Sequence, residues 1–565
     1  MCEFWPSCEV CKCKASQRCA GCSLVYYCNK EHQIQHWKTH KKLCRPYKVE
    51  KSDTLGRYLV ASRTIKSGEI ILKEKPAVKG PAQNTGPVCM GCLENVNESN
   101  SIPCEFCGWP FCDIECQKTS KHKAECEFTV KYRGKVNVSN WVTPHPLFRL
   151  VTPLRVLLLE NDSEKLNALE SHCELRKNTR QWADDNIYVV QAMRRLFPNH
   201  PFKDDEILRA CGILQVNGHE VPLSQPPHVA VYAGAGSLFE HSCVANCTKS
   251  FTDEKTSEIT IWAARDIAPG EHLSICYTDS IWGTKDRQQD LLENKFFQCS
   301  CQRCMDPTEL GSYTSALYCS NMKCGGYVLP TKSKTASEAL TNGSTKLNEN
   351  HNEDINDSVR QNGSTKSDDC IQNSKNAVIA NAINWNSDWQ CNNCRKSIPN
   401  SEVQKILEAV HEELLLLDRD NIDSCKSFLS RNASRLPISH YAMLGIEVAL
   451  AHQLGSGGYD SIKHLTPEDL NFKIDLCEKL IEKLSTIALC EQRLLGLLRF
   501  ELHSALAEKA RRCENAERRH ELLWRSLEAA ELCTRSLAKE PSCLHEGLMA
   551  SQAEKNAIDL RKMIC

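Results

Sequence analysis

The carboxyl-terminal part of the chain carries apolar residues at helical spacing. The first such stretch has an apolar face made of Val403, Ile406, Leu407, Val410 and Leu414, at the intervals of an amphipathic helix. The pattern continues in FKIDLCEKLIEKL, LLGLLRFELHSALAEKA and LLWRSLEAAELCTRSL, with charged residues on the opposite face. Residues 401–565 are therefore predicted to form a helical domain of antiparallel pairs, similar to a tetratricopeptide array but without a clean 34-residue signature.

Three other patterns precede this domain. The stretches PLFRLVTPLRVLLLEN, IYVVQAMRRLF and DDEILRACGIL predict a helical region from about 145 to 212. Near the amino terminus, LGRYLVASRTIKSGEIILKEKPAV alternates apolar and polar residues and predicts a strand pair around a turn at Ser67 and Gly68. Residues 331–388 are rich in Ser, Asn, Thr and Lys and repeat NGSTK, which predicts a disordered insert because little apolar surface is available for burial.

Composition narrows the functional classes. The 565 residues suggest roughly four domains. The 70 basic and 71 acidic residues nearly cancel, so no global field favours a membrane surface, and nucleic acid is not expected as the primary partner. The amino terminus has no apolar signal segment, and no run of about 18 apolar residues occurs. We therefore expect a soluble protein of the cytoplasm and nucleus, and a monomer.

The 35 cysteines fall largely into metal-ligand spacings, which in a long chain indicate zinc rather than disulfides. The first set supplies eight ligands: Cys8, Cys11, Cys19, Cys22, Cys28, His32, His40 and Cys44. The second set supplies eight more: Cys89, Cys92, Cys104, Cys107, Cys112, Cys116, His122 and Cys126. Because a structural zinc takes four thiolate or imidazole ligands, each set predicts two zinc ions. Cys13 is an additional thiol that could compete with Cys11.

Two further cysteine sets follow. Cys299, Cys301 and Cys304 lie too close together to be independent core residues, and Cys243 in the run LFEHSCVANC is the candidate fourth ligand. Cys319, Cys324, Cys391 and Cys394 form two pairs that suit one four-thiolate zinc in a ribbon, although the pairs could also be independent. Up to six structural zinc ions are therefore expected, and none is expected to be catalytic because each set has four ligands.

Both eight-ligand sets resemble the MYND finger, in which ligand pairs alternate between two metals. On that resemblance, Cys8, Cys11, Cys28 and His32 hold one ion, and Cys19, Cys22, His40 and Cys44 hold the other. The runs EHSCVAN, GEHLSICY and CSCQRC resemble the SET domain of protein lysine methyltransferases. A finger that interrupts the early SET strands is typical of the SET and MYND domain (SMYD) family, and the additional finger at the amino terminus resembles its arthropod-type branch.

The resemblance covers at least residues 46–330 and implies an α+β fold. The expected domains are an amino-terminal MYND-type finger at 8–44, a SET domain at 46–88 and 127–280, and an embedded finger at 89–126. A post-SET zinc region at 281–330, the disordered insert at 331–388, the second half of the zinc ribbon at 389–400 and the helical domain at 401–565 complete the chain.

The resemblance also implies a site that binds S-adenosylmethionine. The residues expected to contact this cofactor are Leu55, Gly56, Arg57, Asn217, Glu240, His241, Tyr277 and Phe297. Tyr277, at a strand end, is the expected catalytic residue, because a tyrosine hydroxyl can align the target amine. Asn246 is expected to be structural.

The implied function is methylation of lysines on histones or other proteins. Three positions depart from the family pattern: Tyr58 stands at a second glycine position, Glu240 replaces an asparagine, and Lys295 replaces a channel tyrosine. These departures favour an alternative, a weak or inactive SET and MYND scaffold that recruits partners in transcriptional regulation through its zinc fingers, as MYND fingers bind proline-containing peptides.

Overall fold

The computed structural model describes residues 6–19, 22, 24–41, 44–53, 55–118, 122–159, 163–253, 255–321, 323–332, 383–456 and 461–564. Most of the predicted disordered insert, residues 333–382, lies outside these residues. The two ends of the predicted insert, 331–332 and 383–388, belong to strands. They pair with each other in an antiparallel ladder, Thr331 opposite Asn384 and Lys332 opposite Ile383. The polar composition of these ends did not indicate this pairing, which is fixed by a partner strand far away in sequence.

The two fingers are built alike. Each has a two-stranded antiparallel ribbon followed by a helix whose first turn is capped by a side chain. Asn29 accepts a hydrogen bond from the His32 amide at 2.9 Å, and Asp113 accepts one from the Cys116 amide at 2.6 Å. The elements are β1 (Gln17–Arg18), β2 (Tyr26–Tyr27) and α1 (Lys30–His40), and in the embedded finger β7 (Ile102–Pro103), β8 (Pro110–Phe111), α2 (Ile114–Gln117) and α3 (Lys123–Tyr132).

The SET core consists of short strands in small sheets around buried aliphatic residues such as Leu59, Ile261 and Ile275. Its strands are β3 (Tyr47–Ser52), β4 (Gly56–Ala61), β5 (Ile70–Glu74), β6 (Val78–Pro81), β9 (Gly218–Val221), β10 (His228–Val231), β11 (Glu240–His241), β12 (Cys247–Phe251), β13 (Ile259–Ala263) and β14 (Ser274–Ile275). The sheets have the orders β3-β4, β6-β10-β9, β12-β13-β5 and β11-β14, and the β11-β14 pair is parallel.

The predicted strand pair around Ser67 and Gly68 is wrong. Both strands form and Gly68 takes a positive φ of 80°, but β4 pairs with β3 while β5 pairs with β13. All five residues of β13 are buried, so this strand offers β5 an apolar partner that a local hairpin would not provide. Alternation along the chain identifies strands, but it does not identify their partners.

The helical region between 145 and 217 packs against the embedded finger. Trp109 of the finger lies edge-on to Phe148, with ring centroids 5.6 Å apart, and both side chains are buried. The helices are α4 (Phe148–Leu157), α5 (Ser163–Asn167), α6 (Cys173–Arg176), α7 (Arg180–Asp185), α8 (Gln191–Leu196) and α9 (Asp204–Asn217), with one π-helical turn at Asn186–Val190 between α7 and α8. The finger and the helices therefore share one hydrophobic core.

The remaining elements form a zinc ribbon and a helical domain. Helices α10 (Thr284–Lys295) and α11 (Gln302–Met305) lead into the four-stranded sheet β15 (Leu317–Tyr318), β16 (Tyr327–Lys332), β17 (Ile383–Cys391) and β18 (Ser397–Ile398). In the described parts of 400–564, seven α-helices follow: α12 (Asn400–Leu415), α13 (Ile422–Asn432), α14 (Tyr441–Gln453), α15 (Pro467–Ile487), α16 (Gln492–Arg512), α17 (Ala516–Leu537) and α18 (His545–Ile564). None of the described helices combines the length and apolar composition that a membrane span requires.

A buried charge cluster joins the SET core to the helical domain. The Glu309 carboxylate accepts hydrogen bonds from Arg303 at 2.8 Å and Arg287 at 3.1 Å, and all three side chains are buried. Burial opposes ionisation of Glu309, but the two guanidinium groups outweigh it and hold its pKa below the usual value. Arg303 also donates to the main-chain oxygens of Ser280, at 2.6 Å, and of Ile487, at 3.3 Å.

Candidate active site and zinc sites

The predicted finger ligands assemble into four clusters of four. They are Cys8, Cys11, Cys28 and His32; Cys19, Cys22, His40 and Cys44; Cys89, Cys92, Cys112 and Cys116; and Cys104, Cys107, His122 and Cys126. Within each cluster the ligand atoms lie within 4.8 Å of one another. The grouping in the first finger is the alternating one implied by the resemblance.

The distances between these atoms suit zinc. Zinc–sulfur bonds of about 2.3 Å in a tetrahedron place two sulfurs about 3.8 Å apart, and a sulfur and an imidazole nitrogen about 3.5 Å apart. The observed separations include 3.7 Å between Cys19 Sγ and Cys44 Sγ, 3.4 Å between Cys22 Sγ and His40 Nε2, and 3.7 Å between Cys92 Sγ and Cys112 Sγ. The side chains are thus arranged as a tetrahedral ion requires.

The third predicted set also comes together. Cys243 lies with Cys299, Cys301 and Cys304, and Cys243 Sγ is 3.5 Å from Cys304 Sγ. In the ribbon, Cys319 Sγ is 3.7 Å from Cys394 Sγ and Cys324 Sγ is 3.7 Å from Cys391 Sγ. The two ribbon pairs therefore face each other rather than standing apart. Cys13 is exposed, and it lies outside the four-residue groups named above.

Tyr277 lies where two chain segments cross. Its segment continues from β14, which runs parallel to β11, so that Tyr277 comes beside Glu240 and His241. The Tyr277 hydroxyl donates to the Phe239 carbonyl, and its amide donates to His241 Nδ1 at 3.0 Å. Burial and, next, the Glu240 carboxylate raise the pKa of Tyr277 above its usual value. The hydroxyl is therefore protonated at neutral pH and held in one orientation.

Two rings adjoin Tyr277. The ring centroids of His241 and Phe297 are 5.9 Å apart, and those of His241 and Tyr277 are 5.3 Å apart. Burial lowers the pKa of His241 to about 4, so its ring is neutral and can accept from the Tyr277 amide. Three of the predicted cofactor residues thus form one aromatic cluster at the strand crossing.

A cavity of about 310 Å³ opens at Tyr277. We call it the Tyr277 cavity; its lining includes Asn217, His219, Lys249, Tyr277 and Lys295. A second cavity of about 240 Å³, the interdomain groove, lies between the SET core and the helical domain, with Glu491, Arg493 and Glu540 on its helical side. Glu220, Lys249 and Ile275 line both cavities, so the two are neighbours across a wall of three residues.

The other predicted cofactor residues differ in their position relative to the Tyr277 cavity. Asn217 lines the Tyr277 cavity, and its amide donates to the carbonyls of Glu170 and Ile213 at 2.8 and 3.0 Å. Gly56 has a positive φ of 68°, Leu55 is exposed, and Arg57 donates to the Ala168 carbonyl at 3.0 Å. No contact between Leu55, Gly56 or Arg57 and the cavity is evident among the described residues.

The three residues that depart from the family pattern are Tyr58, Glu240 and Lys295. Glu240 accepts from His272 Nδ1 at 2.6 Å, and the Tyr58 ring stacks on the His272 ring with centroids 4.6 Å apart. Lys295 lines the Tyr277 cavity. Sequence reasoning did not identify His219 or Lys249 as cavity residues; they lie 30 positions apart on β9 and β12, and neither belongs to a recognisable motif.

Comparisons with known proteins agree with this architecture. The SET domain model matches residues 56–278, and the MYND finger model matches residues 8–44. The Drosophila melanogaster SET domain-containing protein SmydA-8, isoform A, is 30% identical over 298 residues, which cover 51% of this chain and 62% of that protein. The human histone-lysine N-methyltransferase SMYD3 is 26% identical over 282 residues, covering 46% of this chain and 62% of that protein.

The matched region thus spans less than two thirds of these relatives. Among solved structures, the SET domain of LSMT bound to lysine and AdoHcy covers 94% of this chain and 92% of its own, at 12% identity and a TM-score of 0.24, a similarity from which we infer nothing. The family models, the relatives and the zinc clusters agree on one combination of domains. These matches support membership of the SMYD family, whose members combine a SET domain with MYND zinc fingers.

Proposed function

We propose that this chain is an S-adenosylmethionine-dependent protein-lysine N-methyltransferase that acts on histones or other proteins. The observation that carries the proposal is the position of Tyr277, whose hydroxyl is fixed at the strand crossing and whose side chain lines the Tyr277 cavity. The aromatic cluster of His241 and Phe297 stands beside it. A fixed hydroxyl next to a cavity suits a reaction that must align an amine.

The residues at this crossing fit the proposed cofactor. The half-buried faces of His241 and Phe297 can stack on a purine, and Asn217 adds a polar side chain in the adjoining cavity. S-adenosylmethionine would supply a methyl group on a positively charged sulfur. The chain's own task is to orient the amine, keep it unprotonated and exclude water.

Tyr277 can perform the orienting step. Its proton is committed to the Phe239 carbonyl, so the lone pairs of its oxygen are available to an N–H of the incoming amine. Because the pKa of Tyr277 is raised, the hydroxyl does not ionise and does not remove the proton itself. The residue therefore positions the amine rather than acting as a base.

The interdomain groove is the proposed approach for a protein substrate. It borders the Tyr277 cavity through Glu220, Lys249 and Ile275, and Glu491 and Glu540 lie on its far side. The helical side carries the two carboxyl groups of Glu491 and Glu540 against the single guanidinium of Arg493, so it would attract a peptide that carries basic residues. In this proposal the helical domain forms one wall of the substrate site.

Calorimetry with S-adenosylmethionine tests the proposal first. The zinc-loaded protein is expected to bind the cofactor, and absence of binding would overturn the enzyme function. Methyl transfer to a histone pool is then expected to fall by about 100-fold in Tyr277→Phe, the usual scale for one positioned group in a reaction. Tyr318→Phe, in the zinc ribbon, is the matched control and should retain transfer.

A second candidate function is a scaffold that recruits partners through its fingers. It is favoured by Glu240, whose carboxylate is engaged by His272, and by exposed apolar side chains on the fingers, such as Ile34, Trp37 and Phe106. Proline-containing peptides are the proposed partners. Peptide binding that is lost in Trp37→Ala, in a protein that binds no S-adenosylmethionine, would favour the scaffold over the enzyme.

A further inference from the structure

Two lysines of the chain itself line the Tyr277 cavity. Lys249 comes from β12 and Lys295 from the last position of α10. Lys249 Nζ lies 3.4 Å from His219 Nδ1, on the wall shared with the interdomain groove. Lys295 reaches the cavity from the opposite side of the wall, since it does not line the groove. The cavity in which a target lysine would react therefore already holds a lysine amine.

Main-chain oxygens hold the amine of Lys295 in place. Lys295 Nζ donates to the carbonyl of Val216 at 2.8 Å and to the carbonyl of Gln215 at 3.2 Å. Both carbonyls lie at the end of α9, next to Asn217, and Lys295 Nζ is 5.9 Å from the centre of the Tyr277 ring. The amine thus lies between a predicted cofactor residue and the predicted catalytic residue.

The surroundings also favour the neutral amine. Burial and, next, the nearby Lys249 lower the pKa of Lys295 to about 8, while Asp290 on the same helix opposes the shift. His219 carries no charge because burial and the two lysines lower its pKa well below the usual value. At pH 8 about half of the Lys295 amines are unprotonated, against less than about 1% for exposed lysines. Only the unprotonated amine is a nucleophile.

We propose that Lys295 is an internal methyl acceptor: it is methylated within the same molecule, at the Tyr277 cavity. The proposal rests on the proposed methyltransferase function. The lone pair of Lys295 Nζ forms the new bond to the methyl carbon as the carbon–sulfur bond breaks, and S-adenosylhomocysteine leaves with that electron pair. The resulting secondary ammonium releases one proton to solvent when it returns to the neutral amine.

The direct test uses the full zinc-loaded chain without any other protein. After incubation with methyl-labelled S-adenosylmethionine, mass spectrometry is expected to find the label on the peptide that contains Lys295. Because the transfer is internal, the labelled fraction per unit time should be unchanged when the protein is diluted about 100-fold, whereas transfer between molecules would slow in proportion. Lys295→Arg should lose the label, and Lys285→Arg, an exposed lysine of the same helix, should keep it.

A second measurement does not depend on turnover. In the unmodified protein, the pH dependence of acylation by acetic anhydride should give Lys295 an apparent pKa near 8. At pH 8, saturating S-adenosylhomocysteine should slow this acylation by at least about tenfold if the amine faces the bound cofactor. A pKa near that of exposed lysines, or unchanged acylation with S-adenosylhomocysteine bound, would overturn the proposal.

The outcomes separate the two proposals. If the protein does not bind S-adenosylhomocysteine in calorimetry, the proposed enzyme function fails. If it binds and methylates histones but leaves Lys295 unlabelled, the internal acceptor is refuted and the enzyme function stands. Label on Lys295 that slows on dilution would likewise refute methylation within one molecule.

Discussion

The side chain of Glu240 is turned towards His272 rather than left free for the cofactor. Its carboxylate accepts from His272 Nδ1 at 2.6 Å, and the Tyr58 ring stacks on the face of the His272 ring. A carboxylate at this position repels the carboxylate of S-adenosylmethionine, whereas an amide can both donate and accept hydrogen bonds. The proposed function therefore depends on how strongly His272 engages Glu240.

This balance predicts the effect of Glu240→Gln. The substitution keeps the length of the side chain and removes its charge, so the affinity for S-adenosylmethionine should rise by about tenfold, on the scale of one hydrogen bond to a charged group. Calorimetry at neutral pH measures the change. Glu293→Gln, on the exposed face of α10, should leave the affinity unchanged; a weaker affinity in Glu240→Gln would mean that the carboxylate favours the sulfonium instead.

The zinc clusters could be predicted from the sequence because ligand spacing follows from metal geometry. Cys243 lies 56 positions before Cys299, yet a three-thiol cluster requires a fourth ligand, and that requirement identified it. His219 and Lys249 could not be found in this way. Both occupy ordinary strand positions in two different sheets, and their side chains meet at one cavity, with Lys249 Nζ 3.4 Å from His219 Nδ1.

At the scale of elements, the post-SET zinc cluster holds the Tyr277 segment in place. Cys243 follows β11, and the other three cysteines follow α10. Cys243→Ser removes one thiolate, so the zinc content should fall from six to five ions per chain and the melting temperature should drop. Elemental analysis measures the metal. Cys247→Ser, at a buried cysteine outside this cluster, should retain six ions, and equal zinc in both variants would contradict the assignment.

Glu447 makes the folding stability of the helical domain depend on pH. It lies buried on α14, and burial raises its pKa to about 7, although Lys483 and Lys479 oppose the shift. The unfolded chain ionises Glu447 near pH 4.5, so the folded state loses stability as pH rises from about 4.5 to about 7. Glu447→Gln should therefore stabilise the protein at pH 8 by about 3 kcal/mol, and by less towards pH 5.

Thermal unfolding of the wild type and of Glu447→Gln between pH 5 and pH 8 measures the difference in their stability. Glu482→Gln, at an exposed position of α15, is the control and should show no such trend. A difference that did not change with pH would contradict the assignment to this carboxyl group.

The pattern of apolar residues predicted most of the helices and strands but not which strands pair with each other. The helices after position 400, and α4 and α9 in the helical region between 145 and 217, have regular periodicity, which a sequence reveals directly. The strands of the SET core are two to six residues long, and their partners are set by buried neighbours far away in sequence. This is why β4 and β5 were predicted as a pair and are found in different sheets.

At the scale of the whole molecule, one ion pair fastens the first finger to the SET core. The two terminal nitrogens of the Arg18 guanidinium, Nη1 and Nη2, both donate to Glu258 Oε2 at 3.0 Å. The two side chains retain 27% and 11% exposure, so the pair is worth about 1 kcal/mol. Arg18→Ala should loosen the finger and speed limited proteolysis of the segment around position 45 several-fold. Lys12→Ala, which breaks an ion pair within the finger, should not.

The cluster of Arg303 and Glu309 has a consequence for synthesis of the chain. Arg303 binds the carbonyl of Ser280, three residues after Tyr277, and that of Ile487, at the end of α15. A ribosome adds about 5–20 residues per second, so the roughly 200 residues between Tyr277 and Ile487 take about 10–40 s to emerge. During that interval Arg303 lacks its partner at Ile487, and the helical domain is absent from the SET core. The protein's dependence on ribosome-associated chaperones should therefore be greatest before the helical domain has left the exit tunnel.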